Sequence, residues 1–227
     1  MSFQNRTEAG KRLAAALAQY RDQKPVVLAL PRGGVPVAAE IASALDAPLD
    51  LVLVRKIGVP FQPELAMGAV VDGGAPIVVR NEDVIRMAGI GEAEFKSVCD
   101  SELAEIERRR RRYLGSRERI DITDRTAIVV DDGIATGATT RAALRATRAR
   151  KPRRLVLAVP VAPTESVAEL RTEADDVVCL EDHDFFGAIG FYYADFSQLS
   201  DQDVVAALER FPAKRASKTG NPSGAAA

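Results

Sequence analysis

The stretch AIVVDDGIATGATT, residues 127–140, decides the fold. Its first four residues, Ala127 to Val130, are apolar and rich in β-branched side chains, as in a buried strand of a parallel sheet. Asp131 and Asp132 then fall at the carboxyl end of that strand, where open α/β sheets bind ligands. Gly133 and Gly137 let the backbone bend and approach a ligand closely. Thr136, Thr139 and Thr140 add hydroxyls, and a helix-compatible run begins near Ala138. The exposed amides of such a turn, together with the N-terminus of the next helix, form an anion site. A phosphate on the loop and a diol on the carboxylates describe a ribose 5-phosphate. At the end of a strand, outside the core, the two acids are expected to serve a ligand and not folding.

Other phosphate motifs fail on single residues. A nucleotide P-loop needs a lysine before its Ser/Thr, and Ala138 stands there. No GxGxxG dinucleotide fingerprint is present. A strand–turn–helix with a solvated acid pair would explain Asp131-Asp132 alone, but not the whole run Ile128 to Thr140.

This run resembles the phosphoribosyl-diphosphate (PRPP) motif of type I phosphoribosyltransferases. The match is the apolar strand, Asp131-Asp132, then Ala135-Thr136-Gly137-Ala138-Thr139. The resemblance implies that Asp131 and Asp132 hold the ribose 2′ and 3′ hydroxyls, directly or through Mg2+. It also implies that the loop from Ala135 to Thr139 holds the 5′-phosphate. In the 6-oxopurine salvage members of that family an aspartate stands directly before the Thr-Gly and serves N7 of the base. Ala135 occupies that place here, so hypoxanthine and guanine are expected to be poor substrates. Adenine- and orotate-type enzymes also lack that acid, which leaves a base acceptor open.

Length and composition bound the remainder. The 227 residues suit one domain with additions, and 47% hydrophobic content is enough for a sizeable core. A net charge of −1 argues against a general polyanion binder. Cys99 and Cys179 have no metal-like spacing, so reduced thiols and a cytoplasmic location are expected. A single histidine, His183, argues against a His-based zinc site or a Ser-His-Asp triad. No long apolar span predicts a membrane helix, and MSFQNRTEAG lacks a signal peptide's apolar core.

Upstream of the motif, residues 4–21 read as an amphipathic helix starting near Asn5 or Thr7. VVLAL, residues 26–30, reads as a buried strand ending in Pro31-Arg32-Gly33-Gly34, with a helix over Val35 to Leu45. Taken alone that turn reads equally well as a tight turn with a surface arginine. Its pairing with the later motif favours a pyrophosphate site built from guanidinium and free amides. In the resembled family this turn is the pyrophosphate loop and often holds a non-proline cis peptide. Here that bond would be Pro31–Arg32, with Gly33 and Gly34 relieving crowding beside it. Residues 49–54, LDLVLV, read as a further strand with Arg55-Lys56 at its carboxyl end, two cations suited to a departing pyrophosphate. Residues 64–79 suggest a hairpin arm, and the family carries a mobile loop there that closes over the reaction.

Residues 81–114 read as two helices, the first capped by Asn81 and the second starting at Glu92. The five-arginine run Arg108 to Arg112 invites a nucleic-acid reading. Glutamates one turn earlier provide pairs such as Glu105–Arg109 and Glu107–Arg111, so a solvated helix end is expected instead. Downstream lie a helix over 141–150, a strand over 155–159, a helix over 164–173 and a last core strand over 177–180. Residues 182–196 hold six of the chain's Phe and Tyr residues. Phe185 and Phe186, with His183 as a polar handle, are candidates to stack a flat acceptor; a hood packed on the core explains them equally. Residues 201–210 resemble a closing helix.

These readings predict an α/β fold, a mostly parallel sheet with helices on both faces. It carries a helical insertion at about 81–118 and a small hood at about 182–211. Residues 1–211 form one domain, and the tail 212–227 is expected to be disordered. The implied activity is Mg-dependent transfer of 5-phosphoribosyl from PRPP to a nitrogen of an acceptor, with pyrophosphate released. The alternative is a non-catalytic regulator that keeps the fold to sense PRPP or a nucleotide. Expected partners are PRPP and a small-molecule acceptor, with no membrane, no nucleic acid and a homodimer as a compatible assembly.

Overall fold

The computed structural model describes residues 2–72 and 76–211. Gly73 and Gly74, within the arm expected over 64–79, and the tail 212–227 lie outside the described residues. In chain order the elements are α1 (Arg6–Ala16), β1 (Val26–Ala29), α2 (Gly34–Leu45), β2 (Leu49–Leu51), β3 (Val54–Val59), β4 (Gln62–Val71) and β5 (Ile77–Arg80). Then follow α3 (Glu82–Met87), α4 (Glu92–Leu114), β6 (Thr126–Val130), α5 (Ala138–Ala149), β7 (Arg154–Pro163), α6 (Thr164–Leu170), β8 (Asp176–His183) and α7 (Asp201–Glu209).

Five strands form a parallel sheet in the order β2-β1-β6-β7-β8. The strand period of two divides its side chains between two layers. Val27, Ala29, Ile128, Val130, Val156 and Ala158 pack in one core with residues of α1, α2, α4 and α7. Val26, Leu28, Ala127, Val129, Leu155 and Leu157 pack in a second core with α5 and α6. Helices therefore cover both faces, as the uninterrupted apolar strands require. Each fully buried aliphatic side chain contributes roughly 1.5–3 kcal/mol of transfer free energy.

A second sheet, β3-β4-β5, is antiparallel and forms the arm. It begins earlier than expected. The parallel strand ends at Leu51, and Val54 already belongs to the arm. Hydropathy could not show this break, because Val52 and Leu53 are buried through the change of direction. Val52 still donates to the Ala29 carbonyl at 3.0 Å, whereas Leu53 accepts from Asp72 at 2.8 Å. Arg55 and Lys56 consequently lie inside an arm strand and not at the end of a core strand.

Local chemistry sets most boundaries. Asn5 caps α1 by accepting from the Glu8 amide at 2.9 Å, and Asn81 caps α3 through the Val84 amide at 3.3 Å. α1 stops at Ala16 and continues only as a 3₁₀ helix, Ala18–Gln23, before Lys24 takes a left-handed φ of 51° ahead of Pro25. β8 runs on past the expected Leu180 to His183, pairing Val161 with Glu181 and Pro163 with His183. Polar residues on an edge strand do not read as a strand by hydropathy. Among the described residues no helix is long and apolar enough to cross a membrane.

Candidate ribose-phosphate site

The two central strands, β1 and β6, lie side by side and end together. Ala29 is opposite Val130, and Leu30 donates to the Val130 carbonyl at 2.9 Å. The turns that follow them are thereby forced into contact. After β1 comes Pro31 to Gly34, in which the Pro31–Arg32 peptide is cis, as expected. After β6 come Asp131 and Asp132. The backbone at Gly33 lies against the Asp132 carboxylate, and a β-carbon at Gly34 would sit 2.5 Å from the Val130 carbonyl oxygen. Both glycines are needed for this close approach to the acid turn, a different reason from crowding beside the cis bond.

Asp131 is half-buried and accepts the Asp132 amide at 2.9 Å. Burial, and then the neighbouring Asp132 charge, push its carboxyl well above the ordinary carboxylate range. Asp132 is buried. Its Oδ2 accepts from Arg6 Nε at 2.7 Å, and its main-chain carbonyl accepts from the Tyr193 hydroxyl at 2.6 Å. Burial followed by the Asp132 charge drives the Tyr193 phenol far upward, so it remains a donor. Asp132 is thus not a free strand-end acid: it is tied to α1 and to the hood.

The phosphate-loop candidates fall at the start of α5. Ala135 and Thr136 are exposed, Gly137 precedes the helix at φ 73°, and Ala138 and Thr139 are its exposed first residues. Amides at that open N-terminus, with the Thr136 and Thr139 hydroxyls, suit an anion. Gly133 is fixed by the hood, since a β-carbon there would meet Ile189 Cγ2 at 2.6 Å.

The cations are mostly spoken for. Arg32 Nη1 stands 3.9 Å from Asp201 Oδ1; Asp201 also accepts from Tyr113 at 2.6 Å and pairs with Arg112 at 3.0 Å. Arg55 pairs with Glu102 of α4 at 2.6 Å, and Lys56 with Glu64 of the arm at 3.0 Å. In the arginine run, Arg108 and Arg109 bind Glu105, Arg111 binds Glu107, and Arg110 stands 3.9 Å from Asp72. Both expected i,i+4 pairs are present.

The aromatic candidates divide. His183 stacks on Tyr192 with centroids 4.6 Å apart, and Phe186 stacks on the same ring at 5.0 Å. Phe185 is 97% exposed and, among the described residues, belongs to none of the aromatic stacks. Sequence reading missed Arg6 and held Tyr193 only as one of the six Phe and Tyr residues of 182–196. Nothing local could link Arg6 to a partner 126 residues away.

Carboxylate oxygens are the hard donors that Mg2+ takes, usually one or two from protein beside water and substrate phosphate. Asp131 and Asp132 fit that donor set. Among the described residues no group of three or more His, Cys, Asp or Glu side chains is gathered for a metal.

The model of the family described as "Phosphoribosyl transferase domain" matches residues 3–196. The chain belongs to that family. It is 49% identical over 208 residues, 92% of this chain and 46% of the relative, to "Putative phosphoribosyl transferase Rv0571c" of Mycobacterium tuberculosis strain H37Rv. The same figures hold for MT0597 of strain CDC 1551. The chain thus spans about half the length of the curated relatives it matches. The crystal structure of TT1426 from Thermus thermophilus is 42% identical, with a TM-score of 0.81 over 93% of this chain and all of the other. In this phosphoribosyl transferase domain, Asp131-Asp132 and the stretch Ala135 to Thr139 follow the carboxyl end of β6.

Proposed function

We propose that this domain is a Mg-dependent phosphoribosyltransferase that moves 5-phosphoribosyl from PRPP to a nitrogen of an acceptor, a nucleobase or similar heterocycle. The observation that carries the reading is the contact between the Pro31–Gly34 turn and the Asp131-Asp132 turn at the ends of adjacent central strands. It sets the turn read as the pyrophosphate site against the acids read as the diol site, with the candidate phosphate loop a few residues further along the chain. In the reaction the bond from ribose C1 to pyrophosphate breaks, the leaving oxygen keeps the electron pair, and the acceptor nitrogen forms the new bond and gives up its proton.

No side chain need attack. The task is to stabilise an oxocarbenium-like ribose and a departing anion. Asp131 and Asp132 orient the ribose hydroxyls. Ala135 to Thr139 hold the 5′-phosphate. The Arg32 guanidinium with the Gly33 and Gly34 backbone meets the pyrophosphate, and Arg55 and Lys56 add positive charge from the arm. Mg2+ bound with the substrate at Asp131 and Asp132, directly or through water, would neutralise charge on the pyrophosphate. For the acceptor, Phe185 offers the free ring; Phe186 and His183 already stack on Tyr192.

The test is a screen of bases and small amines for PRPP-dependent pyrophosphate release. Turnover with one acceptor class supports transfer. Tight Mg-PRPP binding without release for any acceptor would favour the regulator instead.

A further inference from the structure

One side chain joins parts of the chain that share nothing in sequence. Arg6 donates from Nε to Asp132 Oδ2 at 2.7 Å and from Nη1 to the Ser197 carbonyl at 2.9 Å. Its guanidinium lies 3.8 Å from the centre of the Phe196 ring. The Arg6 and Asp132 side chains are each only 11% exposed. Around this point the N-terminal segment is zipped to the hood. Ser2 and Phe3 donate to the Tyr192 carbonyl, Ala194 to Phe3 and Asp195 to Gln4, all within 2.8–3.0 Å. Tyr193 closes the ring through the Asp132 carbonyl and stacks on Phe196 at 5.0 Å.

The geometry points to Arg6 as a positioning residue that couples the ribose acids to the hood. This rests on the reading of Asp131 and Asp132 as the PRPP diol site. A guanidinium can donate in two directions within its plane while stacking its face on a ring; an ammonium cannot do all three. Asp132 in turn presses on Gly33, so the same guanidinium fixes the pyrophosphate turn at one remove. A ligand that settles Asp132 therefore settles Arg6, and through it Phe196 and Ser197. Coupling of this kind is reciprocal.

The test uses Mg-PRPP as the probe. Calorimetry reads affinity, and hydrogen exchange with and without Mg-PRPP reads the amides of 192–197. The wild type should bind and gain protection in that segment. Arg6→Ala should bind at least 10-fold more weakly and show no gain. Arg6→Lys restores the charge opposite Asp132 but not the bridge. It should recover affinity to within about threefold of the wild type while the gain in 192–197 stays absent; it also carries the test if Arg6→Ala does not fold. A merely structural Arg6 would lower thermal stability without separating these two readouts. Wild-type affinity in Arg6→Ala, a wild-type hood response in Arg6→Lys, or no hood response in the wild type would each overturn the coupling alone. No binding of Mg-PRPP by the wild type would overturn the coupling together with the function on which it rests.

Discussion

A β-carbon added at Gly33 would lie 2.6 Å from Oδ1 of Asp132 and closer still to Oδ2. The turn after β1 and the acid pair after β6 are therefore not two independent ligand loops. Each sets the position of the other. A methyl group at residue 33 has to expel the carboxylate from its bond to Arg6, because the backbone behind it is held by Leu30 and Val130. Gly33→Ala is expected to weaken Mg-PRPP binding by 10-fold or more while leaving the sheet intact. Calorimetry beside circular dichroism checks this. Gly34→Ala should be worse for folding, since it meets main-chain atoms of Val130 and Asp131 that cannot swing aside.

The two acids should behave differently under the same substitution. Asp131→Asn removes a charge that burial already disfavours, so stability should hold or rise while PRPP affinity falls. Asp132→Asn leaves the buried Arg6 guanidinium without its countercharge, a cost of about 1–3 kcal/mol. Asp132, tied to Arg6 and Tyr193, is thus expected to serve folding as well as the ligand, whereas Asp131 is expected to serve the ligand alone. Thermal unfolding without ligand separates the two. Equal melting temperatures for both variants would show that the Arg6–Asp132 pair contributes nothing.

The arginine run should not bind nucleic acid tightly. Each member faces an acid: Glu105 for Arg108 and Arg109, Asp72 for Arg110, Glu107 for Arg111, Asp201 for Arg112. Duplex DNA or RNA is expected to bind no tighter than about 10⁻⁶ M at physiological salt, the level of non-specific attraction. Filter binding across a salt series checks this.

At high pH the Tyr113–Asp201 contact should become visible. Burial, and then the bond to Asp201, push the Tyr113 phenol up from 10.0 to about 12. A raised folded pKa means that its contribution is complete below about pH 10 and is lost as pH rises toward 12. Tyr113→Phe should therefore flatten part of the fall in melting temperature between pH 10 and 12. Tyr20, raised to about 12 by burial and by Asp176, keeps its own share of the slope in both proteins.

What the sequence disclosed followed from local pattern. Ile128 to Thr140 carries a strand, a turn and a helix start within a few residues, so the motif and the parallel sheet were both readable there. Asn5, Asn81 and the Glu–Arg spacing on α4 act over three or four residues and were readable for the same reason. The break at Leu51 was hidden because Val52 and Leu53 stay buried on both sides of it. Arg6 was invisible because its role depends on hood residues 196 and 197 arriving beside Asp132, a consequence of the completed sheet.

Two residues frame the choice of acceptor. At the place where 6-oxopurine enzymes carry an aspartate for N7, this chain has Ala135, exposed and with its carbonyl accepting from Ser166 Oγ at 3.4 Å. A methyl group can neither accept nor relay a proton. Hypoxanthine and guanine should therefore be poor acceptors, below about 10⁴ M⁻¹s⁻¹ in kcat/KM, the low end of enzymatic efficiency. If a flat heterocycle is the acceptor, Phe185 is the ring with a free face, whereas Phe186 is engaged by Tyr192. Phe185→Ala should then raise KM for the acceptor roughly 10-fold, since stacking contributes about 0.5–1.5 kcal/mol beyond area burial, and leave PRPP affinity unchanged. Phe186→Ala should instead lower the melting temperature by loosening the hood. Steady-state kinetics on the best acceptor, with hypoxanthine, adenine, orotate and uracil compared in parallel, tests both halves. Efficient use of hypoxanthine would sink the Ala135 argument, and an unchanged acceptor KM in Phe185→Ala would move the acceptor pocket away from the end of β8.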